Sequence, residues 1–284
     1  MAFDLHIHST YSDGTLTPLE IIQLARESGL KTIALTDHDT TEGIANALDL
    51  GEKHKIDVLA GIELSAVFDS HPVHILGYGI DHAAPLLLEN LQEIQKARKE
   101  RNDKIILKLQ DIGLDVSLAE LDMISKSGQT GRPHIARLLV KKGVVSSTDQ
   151  AFDRYLGKQG RAYTARKSLP ANRAVKMINE AKGIAVLAHP VTLNATFEAL
   201  TQTILKLREA GLAGMEVYYP SHSFSFRLKL EKLCVEHDLI ATGGSDFHGL
   251  LHPGSRLGCT DRGQNVSDEI VEKLKARLAA ARKT

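Results

Sequence analysis

Short apolar runs rich in Ile, Val and Leu alternate with helical patterns along most of this 284-residue chain. Seven runs predict strands, at residues 2–8, 31–36, 57–64, 72–79, 183–188, 214–219 and 239–243. Continuous apolar strands separated by helices are typical of parallel sheets covered on both faces. The pattern therefore predicts an α/β barrel, although no helix fits between the third and fourth strands.

Residues 85–166 interrupt this alternation with helical patterns alone. They hold fifteen Lys or Arg and ten Asp or Glu, an excess of five positive charges in a chain that is neutral as a whole. We therefore expect a discontinuous barrel of residues 1–83 and 167–284, with an all-helical insertion at 84–166 that covers the active site.

The net charge of the chain gives no sign of a nucleic-acid or membrane partner. Thirty-five Lys and Arg against thirty-five Asp and Glu create no overall field for a nucleic acid or a membrane surface. No apolar stretch approaches the roughly 18–20 residues that span a bilayer, and the first residues do not form a signal peptide. We expect a cytoplasmic protein with no membrane and no obligate protein partner.

Histidines and carboxylates concentrate at or near the ends of the predicted strands. His6 and His8 lie two residues apart on the first strand, so both side chains leave the same face. Nine residues form the complete candidate set: His6, His8, Asp13, His38, Glu63, His74, His189, Asp246 and His248. Because the carboxyl ends of barrel strands form one rim, residues distant in sequence can meet there.

Imidazoles and carboxylates without cysteine suit Zn, Mn or Fe(II), and the ligand types do not select among these ions. Nine candidate ligands exceed the needs of one ion, so we expect two or three divalent metal ions. Asp37 and Asp39 are expected to orient neighbouring histidine ligands.

The segments HIHSTYSDG, LTDHDT, GIELS, HILGYG, AHP and GGSDFH resemble, in order and spacing, the metal-binding motifs of the polymerase and histidinol phosphatase (PHP) family. The resemblance covers the chain outside the insertion and implies a distorted (β/α)7 barrel with a trinuclear centre. By this resemblance the three metals are held by His6, His8, Glu63 and Asp246, by Glu63, His74 and His189, and by Asp13, His38 and His248. His74 differs from the others because it precedes the end of its predicted strand.

Within the insertion, GRPHIAR at 131–137, YLG at 155–157 and RAY at 161–163 are similar to one PHP branch. That branch hydrolyses nucleoside 3′,5′-bisphosphates and degrades short RNA from the 5′ end. The resemblance implies release of a 3′-phosphate or a 5′-mononucleotide, with metal-activated hydroxide as the nucleophile. The expected partner is a small phosphorylated substrate, either a nucleotide or the 5′ end of a short RNA.

Cationic and imidazole groups are the candidates for phosphate binding and catalysis. Arg132 can make two charge-assisted hydrogen bonds to phosphate, or it can pair with a carboxylate of the insertion. The expected phosphate-binding residues are Arg132, His134, Lys158, Arg161 and His222. The expected catalytic residues are His189, His222 and Asp246. His222 contacts phosphate or protonates the leaving group; alternatively, it lies where Ser221 caps the following helix, or it packs at the surface.

Two alternative functions remain at this point. A histidinol-phosphate-type phosphatase of the same family would share the metal motifs, although the insertion argues against it. A non-catalytic module that binds metal or nucleic acid would also hold such residues, although a full ligand set exceeds what a scaffold needs.

Overall fold

The computed structural model describes residues 3–124, 129–165, 169–249, 256–258 and 266–282. The strands are β1 Phe3–Ile7, β2 Thr32–Leu35, β3 Asp57–Phe68, β4 His71–Tyr78, β5 Leu169–Pro170, β6 Ile184–Leu187, β7 Gly214–Tyr218 and β8 Ile240–Gly243. The helices are α1 Pro18–Glu27, α2 Ile44–His54, α3 Pro85–Asp111, α4 Leu118–Ile124, α5 Arg132–Lys141, α6 Thr148–Ala151, α7 Ala171–Glu180, α8 Phe197–Glu209, α9 Phe224–Glu236 and α10 Glu269–Ala281. Among these described helices, none has both the length and the apolar character required to cross a membrane.

All seven predicted strands are present, and they follow one another as β1-β2-β3-β4-β6-β7-β8 in a single sheet. The eighth strand, β5, has only two residues and pairs with β3 at the edge of this path. The ladder does not close fully between β8 and β1, where an isolated bridge joins Ile7 to Phe247. The fold is therefore an open, distorted form of the expected α/β barrel.

The junction between β3 and β4 is a hairpin, which explains why no helix fits there. The connecting residues Asp69 and Ser70 have φ values of 45° and 66°, as a tight turn requires. β4 consequently runs antiparallel to both β3 and β6, whereas the pairs β1–β2, β2–β3, β6–β7 and β7–β8 are parallel. The start of β4 thus lies at the edge of the sheet where its neighbours end.

The first barrel helix begins where local sequence specifies it. The Thr17 side chain accepts a hydrogen bond from the Glu20 backbone, and the Glu20 carboxylate accepts one from the Thr17 backbone. This reciprocal pair satisfies two amides that a helix start leaves without partners. α1 then buries Ile21, Ile22 and Ala25 against the sheet.

The insertion forms helices α3 to α6 and a π-helical turn at Phe152–Leu156. Its apolar residues, from Ile105 to Ala162, pack into a cluster of their own. Gln95 and Arg98 of α3 hydrogen-bond Asp39, which follows β2, so this helix lies against the barrel rim. The predicted boundary at 166/167 lies outside the described residues, and the division into two units stays a prediction.

Candidate metal centre and active site

The carboxylate of Glu63, fully buried on β3, lies at the centre of a group of histidines. Its Oε1 atom lies 2.8 Å from His74 Nδ1 and 3.1 Å from His189 Nε2. The neighbours of Oε2 are His38 Nδ1 at 3.0 Å, His8 Nε2 at 3.2 Å and His6 Nε2 at 3.3 Å. Both oxygens of one carboxylate therefore face imidazole nitrogens from β1, from β4 and from the segments that follow β1, β2 and β6.

Two aspartates extend the cluster from the loops that follow β1 and β8. Asp246 Oδ1 lies 3.4 Å from His6 Nε2, 3.2 Å from His8 Nε2 and 3.5 Å from His248 Nδ1. Asp13 Oδ1 lies 3.2 Å from His248 Nε2. All nine residues expected to meet at the rim are thus brought together.

The reversed direction of β4 explains the position of His74. The residue pairs with Ser65 of β3, two positions beyond Glu63 toward the rim. In a parallel strand a residue so near the start would lie at the opposite end of the barrel. Because β4 runs antiparallel, its beginning reaches the same rim as the ends of β1, β2 and β8.

The ligand atoms fall into three overlapping sets, each with its atoms within 4.8 Å of one another. These sets are His6, His8, Glu63 and Asp246; His38, Glu63 and His74; and His8, Asp13, His38 and His248. The first set matches the expected group, and the third contains the expected group together with His8. In the second set His38 takes the place expected for His189, which approaches Glu63 Oε1 separately.

Several polar atoms of the cluster are buried without a hydrogen-bond partner among the described residues. They are His6 Nε2, both ring nitrogens of His8, Asp13 Oδ1, His38 Nδ1, Glu63 Oε2 and His74 Nδ1. Buried polar groups are normally satisfied, since an unpaired one costs about 1–3 kcal/mol. The nitrogen and oxygen lone pairs of these atoms point toward one another. Metal ions bound between them would accept these lone pairs, so the cluster can hold metal ions.

In three histidines one ring nitrogen donates a hydrogen bond to the protein, and the other ring nitrogen faces the cluster. His6 Nδ1 donates to Glu216 Oε1 at 3.1 Å, and His248 Nδ1 donates to the Asp246 carbonyl at 2.8 Å. His189 Nδ1 donates to Thr192 Oγ1 at 2.8 Å, because that hydroxyl gives its own proton to the His189 carbonyl. Each Nε2 atom is left for a ligand, as is usual for metal-binding histidines.

The three carboxylates of the cluster are ionised at neutral pH. Burial opposes the charge of Glu63, but histidines around it, among them His74, His6 and His189, outweigh burial and hold its pKa well below the usual range. The pKa values of Asp13 and Asp246 are also lowered well below normal, against the effect of burial, by the adjacent histidines. Burial lowers the pKa of His38 to about 3, so this imidazole is neutral and able to bind a metal.

This geometry agrees with the comparison to protein families. The model of the PHP domain matches residues 4–185, about two thirds of the chain. This chain belongs to the PHP family. The expected histidines and carboxylates of the motifs from HIHSTYSDG to HILGYG lie within that match.

Two curated relatives and one solved structure extend over most of this PHP protein. It is 35% identical to a 3′,5′-nucleoside bisphosphate phosphatase of Chromobacterium violaceum, over 97% of each chain. It is 34% identical to the 5′-3′ exoribonuclease Rnm of Escherichia coli, over 87% of this chain and 85% of the relative. A structure of an amidohydrolase from Chromobacterium violaceum superposes with a TM-score of 0.86 at 33% identity, covering 98% of this chain and 97% of that one.

The family and the relatives establish the class of reaction. The PHP protein is a metal-dependent hydrolase that acts on phosphoester bonds, as the sequence analysis expected. The hypothesis of a non-catalytic module is not supported by relatives that are named as enzymes across nearly their full length.

The aspartates expected to orient histidines hydrogen-bond serines of the rim loops. Asp37 accepts hydrogen bonds from the Ser9 and Ser12 hydroxyls at 2.6 and 2.5 Å, which fixes the loop that carries Asp13. Asp39 accepts from the Ser65 backbone and hydroxyl at 2.8 and 2.9 Å. Both aspartates therefore hold the rim loops together, and their role in orienting the imidazoles stays a prediction.

Sequence reasoning missed Glu216, which does contact a histidine of the cluster. This fully buried carboxylate on β7 accepts from His6 Nδ1 with Oε1 and from the His189 backbone at 2.7 Å with Oε2. The available signal was an acidic residue inside the apolar strand GMEVYY. A buried carboxylate of that kind needs hydrogen-bond donors, which here are the cluster residues themselves.

We expect Glu216→Gln to weaken metal binding or lower kcat/KM by about 10–100-fold, the usual effect of losing a group that orients a ligand. The amide keeps one acceptor oxygen, so either His6 or the His189 backbone loses its partner. Metal affinity measured by competition with a chromogenic chelator checks this expectation. Glu272→Gln on the exposed face of α10 is the control. Wild-type affinity and kcat/KM in Glu216→Gln would contradict it.

Of the phosphate-binding residues predicted in the insertion, Arg132 contacts other residues of the insertion, and Lys158 and Arg161 face solvent. Arg132 Nη1 donates to the Leu156 carbonyl at 3.3 Å, and its guanidinium lies 5.5 Å from the centre of the Phe152 ring. Lys158 and Arg161 are exposed. Their roles in phosphate binding stay predictions.

His134 and His222 are both buried and both hydrogen-bonded to backbone. His134 Nδ1 accepts from the Gly131 amide at 3.2 Å at the start of α5, and burial lowers its pKa to about 4. His222 Nδ1 donates to the Val217 carbonyl at 2.7 Å, and burial lowers the pKa of this imidazole too. A proton-donating role for His222 stays a prediction and requires Nε2 to gain a proton first. The helix that follows is capped by Ser223 and not by Ser221.

Two arginines of the insertion, Arg98 and Arg137, lie close to the rim, although neither was among the predicted phosphate-binding residues. Arg98 of α3 hydrogen-bonds Ser65 at 3.1 Å and forms a close ion pair with Asp39. Arg137 of α5 lies near enough to Asp13 for the two charges to interact. Arg137 belongs to the GRPHIAR motif, but only the helix geometry distinguishes it from Arg132 in the same motif.

Proposed function

We propose that this PHP protein hydrolyses nucleotide phosphoesters, releasing the 3′-phosphate of nucleoside 3′,5′-bisphosphates and 5′-mononucleotides from short RNA. The convergence of eight imidazole and carboxylate side chains around Glu63 carries this proposal. The bisphosphate phosphatase and the exoribonuclease among its relatives support the choice of substrate class.

We further propose that the cluster holds two or three divalent ions of Mn, Zn or Fe, with Glu63 shared between neighbouring ions. The proposed ligands are His6, His8, Asp13, His38, Glu63, His74, His189, Asp246 and His248. When bound, such ions lower the pKa of water toward neutrality and neutralise charge that develops on the phosphoryl group.

The residues of the chain then orient the reactants. In the hydrolysis, a water oxygen bonds to phosphorus, the ester P–O bond breaks, and the leaving oxygen takes a proton. Asp246 faces His6 and His8 and accepts a hydrogen bond from the Tyr219 hydroxyl at 3.3 Å, which fixes this carboxylate at the edge of the cluster. His189 and His222 both lie close to Tyr219. We propose that these two imidazoles lie beside the leaving oxygen of the ester.

A substrate panel tests this proposal. With Mn supplied, we expect release of phosphate from adenosine 3′,5′-bisphosphate and of 5′-mononucleotides from a 5′-phosphorylated RNA, measured by phosphate assay and chromatography. Histidinol phosphate is the comparison substrate. Faster turnover of histidinol phosphate, or tight RNA binding without any product, would contradict the proposal.

A further inference from the structure

The loops after β6 and β7 carry a row of aromatic rings that begins at the metal cluster. The centre of the Tyr219 ring lies 5.7 Å from that of His189, a member of the cluster, and 5.3 Å from that of His222. The next ring, Phe226, lies 5.0 Å from His222 and 6.2 Å from Phe197. The rings therefore form a continuous path from the cluster to the starts of α8 and α9.

Phe224, the first residue of α9, presents a further ring to solvent at this end of the helix. It is 59% exposed, and the guanidinium of Arg227 lies 5.0 Å from the centre of its ring. Lys229, which is also exposed, lies 5.5 Å from the centre of the Phe197 ring. We call Phe197, Tyr219, Phe224 and Phe226 together the aromatic surface. Cations are thus placed beside the rings of this surface.

The charge of the segment that forms most of the aromatic surface is positive. Residues 217–230 include Arg227 and Lys229 and no Asp or Glu. Arg227 Nε lies 3.5 Å from Glu231 Oε1, which holds the guanidinium beside the Phe224 ring. Aromatic faces for the bases and cations for the phosphates are the combination with which proteins bind single-stranded nucleic acids.

The aromatic surface lies across the cluster from the insertion. The insertion hydrogen-bonds the rim at Tyr11 after β1, at Asp39 after β2 and at Ser65 of β3. In the order of the sheet, taken through the seam between β8 and β1, the strands farthest from β2 are β6 and β7. A polymer that is bound at the cluster beneath the insertion can therefore extend along the aromatic surface.

A cavity of about 720 Å³ between α3 and α4 lacks these properties. Lys96 and Lys99 line it together with Asp103 and Asp122, so positive and negative charges are mixed there. Its described lining includes no aromatic residue and no residue of the metal cluster. The aromatic surface is therefore the better match for a chain of nucleotides.

We propose that the aromatic surface binds the nucleotides of an RNA substrate that follow the scissile phosphate, with bases stacked on its rings and phosphates attracted to Lys229. This inference rests on the proposed function, because it presumes that RNA is hydrolysed at the cluster. Every base has a face that can stack, so such a surface favours longer RNA without selecting its sequence. A nucleoside bisphosphate has no nucleotide beyond the scissile bond and gains nothing from this surface.

Steady-state kinetics on RNA of increasing length test the surface. In the Mn-loaded wild type, KM is expected to fall from a 5′-phosphorylated dinucleotide to a hexanucleotide. Phe224→Ala should raise KM for the hexanucleotide by about 5–20-fold, the lower part of the range for one stacked base. It should leave kcat/KM for adenosine 3′,5′-bisphosphate unchanged. Lys229→Ala should raise the same KM by about 2–5-fold and make it less sensitive to salt, because its ammonium is exposed.

Val235→Ala and Lys275→Ala are the matched controls. Val235 is 85% exposed on the same helix as Phe224, about 16 Å further along it. Lys275 lies 2.9 Å from Asp57, which begins β3 at the opposite end of the barrel. Both variants should retain wild-type kinetics on the bisphosphate and on the hexanucleotide.

A fluorescent reporter measures the contact directly. The chain contains no Trp, so a single introduced Trp reports on one place alone. On rapid mixing of Mn-loaded Phe224→Trp with the hexanucleotide, we expect the emission to be quenched by a stacked base and to recover as the RNA is consumed. Adenosine 3′,5′-bisphosphate should cause no quenching, and Val235→Trp should respond to neither ligand.

The outcomes separate this inference from the proposed function. If wild type hydrolyses neither RNA nor the bisphosphate, the proposed function fails, and the inference fails with it. If wild type hydrolyses both, but KM does not depend on RNA length or Phe224→Ala matches wild type on the hexanucleotide, the function holds and the inference is overturned. An equal loss on both substrates in Phe224→Ala would also overturn it. So would unchanged RNA kinetics in a protein whose dimer, seen by analytical ultracentrifugation, is split by Phe224→Ala, because a second copy then covers this surface.

Discussion

Glu63→Gln is expected to lower kcat/KM for phosphoester hydrolysis by at least about 1,000-fold and to reduce the bound divalent metal. The amide keeps the size of the side chain but removes the charge that faces five histidines. Metal ions stabilise the transition state by several kcal/mol, and each 1.36 kcal/mol corresponds to tenfold in rate. Elemental analysis and steady-state kinetics of the purified variant check the two parts of this result.

Glu209→Gln is the control, because Glu209 is exposed at the end of α8 and away from the rim. Circular dichroism separates loss of the centre from loss of the fold. A folded Glu63→Gln protein with wild-type metal content and activity would contradict the assignment of Glu63 as the shared ligand.

Removal of metal by a chelator is expected to abolish phosphate release and to lower the melting temperature, and Mn is expected to restore both. Binding at a hundred times Kd contributes about 2.7 kcal/mol, and each kcal/mol shifts the melting temperature of a chain of this size by about 2–4 °C. We therefore expect a fall of about 5–10 °C in a thermal scan. His6, His8, Asp13, Glu63 and His189 are buried, so removing the ions leaves these polar groups in the protein interior without their ligands.

Addition of Mg to the stripped protein is a useful comparison, since imidazole ligands favour transition metals over Mg. Retained activity in protein shown by elemental analysis to be free of metal would exclude the mechanism. An unchanged melting temperature on adding Mn would show that the cluster does not bind this ion.

The strands and most of the cluster could be predicted because their signals are local. The apolar runs are buried on both faces, and the alternation of His6 and His8 in β1 follows from the two-residue repeat of a strand. Residues such as Asp246, placed directly after a strand, reach the rim in any parallel barrel. The insertion was visible for the same reason, since helical periodicity continues through it without a strand.

The roles of Asp37, Asp39 and Glu216 could not be predicted, because hydrogen-bond partners are chosen in three dimensions. Asp37 is followed at once by His38, yet its carboxylate is oriented toward Ser9 and Ser12 across the rim. Glu216 is 210 residues from His6 in sequence, and the order of strands in the sheet brings the two together.

The sequence by itself determined the fold class, the helical insertion and the set of residues able to hold metal. These follow from periodicity and from side-chain chemistry, which a single chain displays along its length. Only the tertiary structure decided the direction of β4, which brings His74 to the rim, and the choice of Arg137 over Arg132 beside the cluster. Strand direction and helix orientation depend on packing between distant segments, and that packing has no local signature.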